Sequence, residues 1–387
     1  ATKYKTVLKM YKKSSKKIYI ILYQLIMMLL LWSFVDIIYS KFIYTDNLYG
    51  CFDRKKNFYD LKVNCIAKEK IVKTSPKYNV FTNEFGYRYS GIKKNETNKN
   101  VIAFMGDSFT YGVGLEYQQT FISKVEDHAK DYRVLNLAVP SYSPTTHLYQ
   151  LEKLINKNIY PKKIILVIDL TDVSDEAGRW ERKLNSIRPN LIGNNTEHKD
   201  NTKIKDSASI WKNFRKKNFK GTKQISTYIN TQMRLIKIKF KKKITQNFTE
   251  LGITRMGDFT YIDFKDLEQG NFWWKPYGVT GGLKKIESNI IKISNLGKKI
   301  NADFYIVIYP WAVTLEFGQA IFNWESYGKN LCKISSCKKL INLFPDFNNY
   351  KNDNNNWSTD LFFLNDTHWN KKGNKIVAEK IISEIFN

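Results

Sequence analysis

Val101-Ile102-Ala103-Phe104-Met105-Gly106-Asp107-Ser108-Phe109-Thr110-Tyr111-Gly112 is the stretch on which the fold turns. Its five leading apolar residues suit a strand buried on both faces, and Gly106-Asp107-Ser108 breaks that strand into a turn. Phe121, Val125 and Ala129 then recur at helical spacing. Residues 134–139 form a second strand candidate, followed by Pro140 and by Ser143-Pro144, an N-cap with proline at the first helical position. Leu148, Leu151 and Ile155 continue that helix, and residues 164–168 are a third strand. Ile286, Ile290, Ile293 and Ile300 mark a further helix, residues 304–308 a fourth strand, and Val377, Ile381 and Ile385 a last helix. Short apolar strands alternating with amphipathic helices imply an α/β fold whose doubly wound parallel sheet is covered on both faces.

The chain has 387 residues, 43% of them apolar and 15% aromatic, enough to bury a core and against intrinsic disorder. With only 19 Gly and 8 Pro and no fixed repeat, collagen-like, low-complexity and solenoid architectures are excluded. Lys and Arg number 63 against 36 Asp and Glu, a net charge of +27 that calls for an anionic partner. The location of the charge argues against nucleic acid. Lys3, Lys5, Lys9, Lys12, Lys13, Lys16 and Lys17 precede a run, residues 18–35, with no charge and only Gln24 and Ser33 as polar interruptions. As a helix that run is about 27 Å long and spans a bilayer. No Ala-x-Ala-like cleavage site follows it in residues 36–42, so it reads as an uncleaved anchor. The lysines set its N-terminal end in the cytoplasm, which makes this a single-pass inner-membrane protein with its remainder in the periplasm.

From this comes a division into a basic cytoplasmic tail (1–17), a transmembrane anchor (18–39), a stalk and lead-in (40–100) and a catalytic domain (101–387) interrupted by an insertion at about 175–282. Cys51 with Cys65 and Cys332 with Cys337 suggest two local disulfides in an oxidising compartment, with buried free thiols as the alternative. Neither spacing is that of a zinc site, so no metal is expected. Within the insertion, residues 199–243 hold 15 Lys or Arg and only Asp200 and Asp206 as acids. Ile229, Met233, Ile236, Phe240 and Ile244 fall on one helical face, so the segment reads as a basic amphipathic helix. It is either a solvated cap or a surface for anionic lipid or acidic glycan.

In a doubly wound sheet the reactive groups sit at the carboxyl ends of strands, where Ser108 falls. A serine needs a histidine to take its proton and an acid to orient that histidine. Of the four histidines, His128, His147 and His198 read as helix or surface residues. His368 differs: in Asp366-Thr367-His368-Trp369-Asn370 an acid and a base share one loop that can deliver both to Ser108.

The segment Phe104-Met105-Gly106-Asp107-Ser108-Phe109-Thr110-Tyr111-Gly112 resembles the first sequence block of SGNH/GDSL hydrolases, and Asp366-Thr367-His368-Trp369-Asn370 resembles their last. The second is similar to the Asp-x-His-Trp form of bacterial exopolysaccharide O-acetyltransferases of the alginate type. Asn83, Gly86 and Arg88 resemble a lead-in of membrane-anchored members. The resemblance covers roughly residues 80–175 and 284–387. It implies a three-layer α/β/α sandwich, SGNH or flavodoxin-like, with a triad of Ser108, His368 and Asp366 and no cofactor. Its oxyanion hole would combine the Ser108 N–H, beside Asp107, with two later donors, and both later blocks depart. Ser141 stands at the glycine position, and the asparagine position falls near Asp172, which cannot donate when ionised.

Together these imply a membrane-anchored serine esterase or O-acyltransferase. It acts on O-acyl groups, acetyl foremost, of an extracytoplasmic carbohydrate or cell-surface polysaccharide, through an acyl-Ser108 intermediate; the acyl donor is unspecified. The alternative is a catalytically degraded fold of this type that binds an anionic glycan or lipid surface through its basic insertion.

Overall fold

A computed structural model describes residues 2–43, 50–53, 59–72, 75, 77–92, 99–180, 260, 274–364 and 366–386, with ten positions between 214 and 229; for residues 2–18 and 43 it describes the backbone alone. The chain divides into two compact units, residues 1–46 with 194–246, and residues 47–193 with 247–387.

The second unit carries the sheet. Its strands are β1 (Phe52–Asp53), β2 (Asp60–Leu61), β3 (Ile66–Glu69), β4 (Tyr78–Thr82), β5 (Arg88–Tyr89), β6 (Asn100–Met105), β7 (Tyr132–Asn136), β8 (Pro161–Ile168), β9 (Asp303–Ile308) and β10 (Lys339–Asn342). β1 and β2 form a small antiparallel ladder, and the other eight form one sheet in the order β10-β9-β8-β6-β7-β5-β4-β3. The pairs from β7 to β10 are parallel and those from β7 to β3 antiparallel. Ile102 to Met105, Ile164 to Ile168 and Phe304 to Ile308 are all buried, as strands covered on both faces require. Each large apolar side chain among them contributes about 1.5–3 kcal/mol by leaving water.

The helices of this unit lie on the two faces. After α1 of the other unit (Thr2–Ile38) come α2 (Ser108–Tyr111), α3 (Phe121–His128), α4 (Pro144–Ile155), α5 (Thr171–Ser174), α6 (Gly278–Lys299), α7 (Ala312–Phe317), α8 (Trp324–Ser335), α9 (Phe344–Asp353), α10 (Trp357–Leu361) and α11 (Lys371–Ile385). α4 packs on α6 and α6 on α8, while α3 packs on α11. β6 is followed through α3 by β7 on one of its edges and then through α4 by β8 on the other. Strand order therefore reverses at β6, and a crevice opens beyond the carboxyl ends of β6 and β8.

Two boundaries differ from the expected ones. Residues 60–92, expected as stalk and lead-in, contribute β3, β4 and β5 to the sheet, with Arg88 in register with Asn136 of β7. These strands are only two to five residues long, too short to carry a marked periodicity, and β5 takes its second partner, β7, from far along the chain. The insertion expected from about 175 begins later, because α5 continues as a π-helical turn, Asp175–Arg179, and α6 already starts at Gly278. Met233, Ile236, Phe240 and Ile244 of the expected basic helix lie outside the described residues; Ile229 is helical and exposed.

Cys51 is bonded to Cys65 and Cys332 to Cys337, leaving no free cysteine. Arg88 explains why the lead-in belongs to the domain. Its buried guanidinium donates to the carbonyls of Tyr111 (2.6 Å), Gly112 (2.8 Å) and Leu115 (2.5 Å), bracing the chain just past Ser108. Glu69, fully buried, accepts from the Cys51 N–H and from the Tyr78 and Tyr111 hydroxyls; burial raises its pKa, and these bonds and the charge of Arg88 oppose that rise. Arg88→Lys keeps the charge but loses the fork. It should lower stability by about 2 kcal/mol or more, read as a fall in the denaturant midpoint with unchanged slope.

Candidate active site

β6 ends at Met105 and the chain turns at once into α2. Gly106 permits the turn because a Cβ there would lie 2.1 Å from Thr110 Oγ1. Asp107 caps α2, its Oδ1 accepting the Phe109 N–H at 2.9 Å, and Gly112 closes it at φ 82°. Ser108 thus stands at the mouth of the crevice.

His368 reaches it from 260 residues away. The loop carrying it is pinned by Trp369, whose buried ring lies 4.4 Å from Tyr309 and 4.8 Å from Phe109 between centroids. A bridge joins Phe362 to Trp369, the Phe363 N–H donates to the His368 carbonyl, and Asn370 caps α11. Asp366 folds back on the same loop, its Oδ1 accepting the His368 N–H at 3.0 Å. The result is a continuous chain: Ser108 Oγ lies 2.8 Å from His368 Nε2, and His368 Nδ1 lies 2.5 Å from Asp366 Oδ1.

The charges around this chain are set by burial and by each other. Burial disfavours the imidazolium, but the hydrogen bond and charge of Asp366, with Asp107 and Asp169 beyond, outweigh it and raise the His368 pKa. Burial likewise opposes ionisation of Asp366, yet its bonds to His368 hold its carboxyl below the usual range. Asp107 goes the other way. Burial, then the charge of Asp169, pushes its carboxyl up to about 8. Its Oδ2 lies 3.2 Å from Ser108 Oγ, so the serine proton stands between two acceptors. Burial favours the neutral form of Asp107, and in that form it competes less with His368 for the serine proton.

The crevice is a cleft of about 250 Å³ whose lining includes Asp107, Ser108, Ser141, Asp169, Thr171, Arg179, Trp274, Trp311 and His368. Ser141 sits at φ 63°, the left-handed region, and lines the cleft. Asp172 does not line the cleft. It is buried, its Oδ2 accepts the Asp169 N–H, and burial together with Asp169 and Asp107 pushes its carboxyl well up.

Its neighbour Asp169 takes the place at the cleft. Asp169 accepts from the Thr171 N–H and hydroxyl and from Trp311 Nε1 at 3.0 Å, which oppose the rise in its pKa that burial imposes. Sequence reasoning passed over Asp169 and Trp311. The available signal was their position, one and three residues past the ends of β8 and β9. Arg179, ion-paired with Asp175 at 3.0 Å, is a further cleft residue that sequence reasoning left inside the insertion.

No family model and no curated protein matches the chain. Solved structures similar to it include hydrolases and esterases. An α/β hydrolase enzyme from the metagenome of Lake Arreo, Spain, is 9% identical, the alignment covering 73% of this chain and 94% of that one, with a TM-score of 0.38. A member of the lipolytic G-D-S-L family from Veillonella parvula DSM 2008 is 11% identical over 74% of this chain and 98% of that one, TM-score 0.38. An acetylxylan esterase from Geobacillus stearothermophilus is 11% identical over 76% and 97%, TM-score 0.39.

Two outcomes follow from the geometry. Only a neutral imidazole can accept the serine proton, so the acid limb of an ester-hydrolysis profile should have its midpoint above 6.5, the ordinary histidine value. Asp366→Asn should move that midpoint down and lower kcat by on the order of 10³–10⁴. At Ser141, a left-handed conformation costs a non-glycine residue about 1 kcal/mol. Ser141→Gly should raise the melting temperature accordingly and, where the main-chain N–H is the donor, keep nitrophenyl acetate turnover. A loss of about 10²-fold would assign the donor to the hydroxyl instead.

Proposed function

We propose that this chain is an SGNH-type serine enzyme that removes or transfers an acyl group, acetyl foremost, on an extracytoplasmic carbohydrate. The observation that carries the reading is the unbroken hydrogen-bonded chain Ser108–His368–Asp366 at the point where strand order reverses. Ser108 Oγ attacks the ester carbonyl as its proton passes to His368 Nε2, and Asp366 holds the imidazolium. The Ser108 N–H, at the start of α2, and the main chain of Ser141 flank the position where the oxyanion develops. The imidazolium then gives its proton to the departing alkoxide, leaving acyl-Ser108. Water or a sugar hydroxyl, deprotonated by His368, attacks that ester and frees the serine, giving hydrolysis or transfer respectively. A cleft of about 250 Å³ walled by Trp274, Trp311 and Phe109 favours a small acyl group.

The same reading places the enzyme on the cytoplasmic membrane. Tyr19–Phe42 is a 24-residue span with mean hydropathy 2.1 and only 6% of it buried, an apolar surface suited to lipid. Retention of that span is supported by its side chains: Trp32, Asp36 and Ser40 bond to residues 220–222, so the helix is built into the folded protein. Both disulfides are compatible with the far side of the membrane.

With the protein exported and nitrophenyl acetate as substrate, a burst of nitrophenol should precede steady turnover. Mass spectrometry of the quenched enzyme should find one acetyl group on the peptide holding Ser108. Ser108→Ala should lose the burst and lower turnover by about 10³-fold or more with an unchanged melting temperature. Turnover retained in that variant would remove Ser108 as nucleophile and the reading with it.

A further inference from the structure

Asp36 is a carboxylate near the end of an apolar helix, and it is 4% exposed. A charge at such a depth is retained only where donors compensate it. Here they come from a segment 185 residues further on. The Gly221 N–H donates to Oδ1 at 2.7 Å and the Thr222 N–H to Oδ2 at 2.8 Å, and the Thr222 hydroxyl bonds the same oxygen. The Lys220 N–H donates to Ser40 Oγ at 2.8 Å, and Trp32 Nε1 to Thr222 Oγ1 at 3.0 Å. Residues 220–222 open a helical stretch, so Asp36 caps it in trans and meets its positive dipole end. Gly221 is what allows the approach, since a Cβ there would lie 2.6 Å from Asp36 Oδ1.

The helical residues described beyond Thr222 do not hide their apolar side chains. Ile225 and Ile229 are 44% and 52% exposed, one turn apart. An open groove of about 270 Å³ runs between Trp32, Val35 and Tyr39 of the anchor and Gly221 and Ile225 of this helix. Trp32 and Val35 are themselves 49% and 53% exposed, so the apolar face of the second helix continues the outer face of the first. The surrounding sequence, residues 199–243, is strongly basic.

We propose that the segment opening at Lys220 is a lipid-facing helix, clamped to the anchor by Asp36, that lies in the outer leaflet and binds anionic phospholipid. This rests on the membrane-anchored part of the reading above. Lipid is the occupant because it is the medium that the adjoining face of α1 already meets, and a hydrated glycan would not cover Ile225 and Ile229. The basic residues supply charge complementarity to anionic headgroups, each near the surface contributing about 1 kcal/mol.

The test uses the full chain, reconstituted in vesicles of phosphatidylcholine alone or mixed with phosphatidylglycerol. A fluorophore is attached at Val35→Cys or at Ile229→Cys, and quenching by a spin-labelled lipid is measured. Both positions should be quenched. At Ile229 the quenching should grow with phosphatidylglycerol and shrink with salt, since exposed charges are screened over about 10 Å at 0.1 M. Gly221→Val and Asp36→Asn should each abolish quenching at Ile229 while leaving it at Val35. Quenching at Val35 without quenching at Ile229 overturns the lipid-facing helix and leaves the anchor standing. Quenching at neither position overturns the anchor and the inference together, while nitrophenyl acetate turnover reports separately on the catalytic reading. Quenching at Ile229 that ignores phosphatidylglycerol and salt overturns the anionic lipid, and quenching that survives both variants overturns the clamp.

Discussion

The serine proton at the end of β6 has two acceptors within reach, and the rest of the site is arranged around that competition. His368 Nε2 is nearer, at 2.8 Å against 3.2 Å for Asp107 Oδ2. Distance alone would not settle the matter, because a carboxylate carries a full charge and an imidazole nitrogen does not. Burial tips the balance toward His368 by favouring the neutral form of Asp107. The same burial would also discharge His368, were Asp366 not beside it on its own loop. Desolvation thus disfavours the charged form of both neighbours; it prevails at Asp107, whose nearby charge is another acid, and is outweighed at His368 by the carboxylate of Asp366.

Packing turns that balance into fixed geometry. Trp369 is wedged between Phe109 and Tyr309, so the loop with the base is seated on the residue that follows the nucleophile. Phe109 also lies 4.8 Å from the His368 ring. On the other side, Arg88 grips the last carbonyl of α2 and two beyond it. The nucleophile turn is therefore held by a C-terminal aromatic and an N-terminal cation, elements that lie 281 residues apart in the chain. Neither touches substrate, yet each sets where Ser108 can stand.

How far the sequence could be read follows from the range of the interactions involved. β6, β8 and β9 were legible because a doubly covered strand needs a run of apolar residues, a local signature. The Ser108 turn and the Asp366–His368 loop were legible because their chemistry sits within a few residues of one another. Asp169 and Trp311 were not, since nothing local distinguishes an acid just past a strand until the neighbouring strand brings an indole N–H to it. Arg88 was legible as part of a motif but not in what it does, for its partners are carbonyls that any residue supplies. The strands of residues 60–92 were missed because they are two to five residues long, and what ties them to the main sheet is one distant pairing, Arg88 with Asn136 of β7.

The 185 residues between Asp36 and Gly221 also impose an order of events. At about 5–20 residues per second of synthesis, the carboxylate exists for roughly ten to forty seconds before the amides that cap it have been made. During that interval it cannot be buried unpaired, so the end of α1 must stay hydrated while the sheet strands β1 to β8 emerge behind it. Closure of the junction is then a late step in the maturation of the chain. It reports, in a single hydrogen-bonded carboxylate, that the chain has been made as far as residue 222 and that residues 220–222 have been brought back to α1.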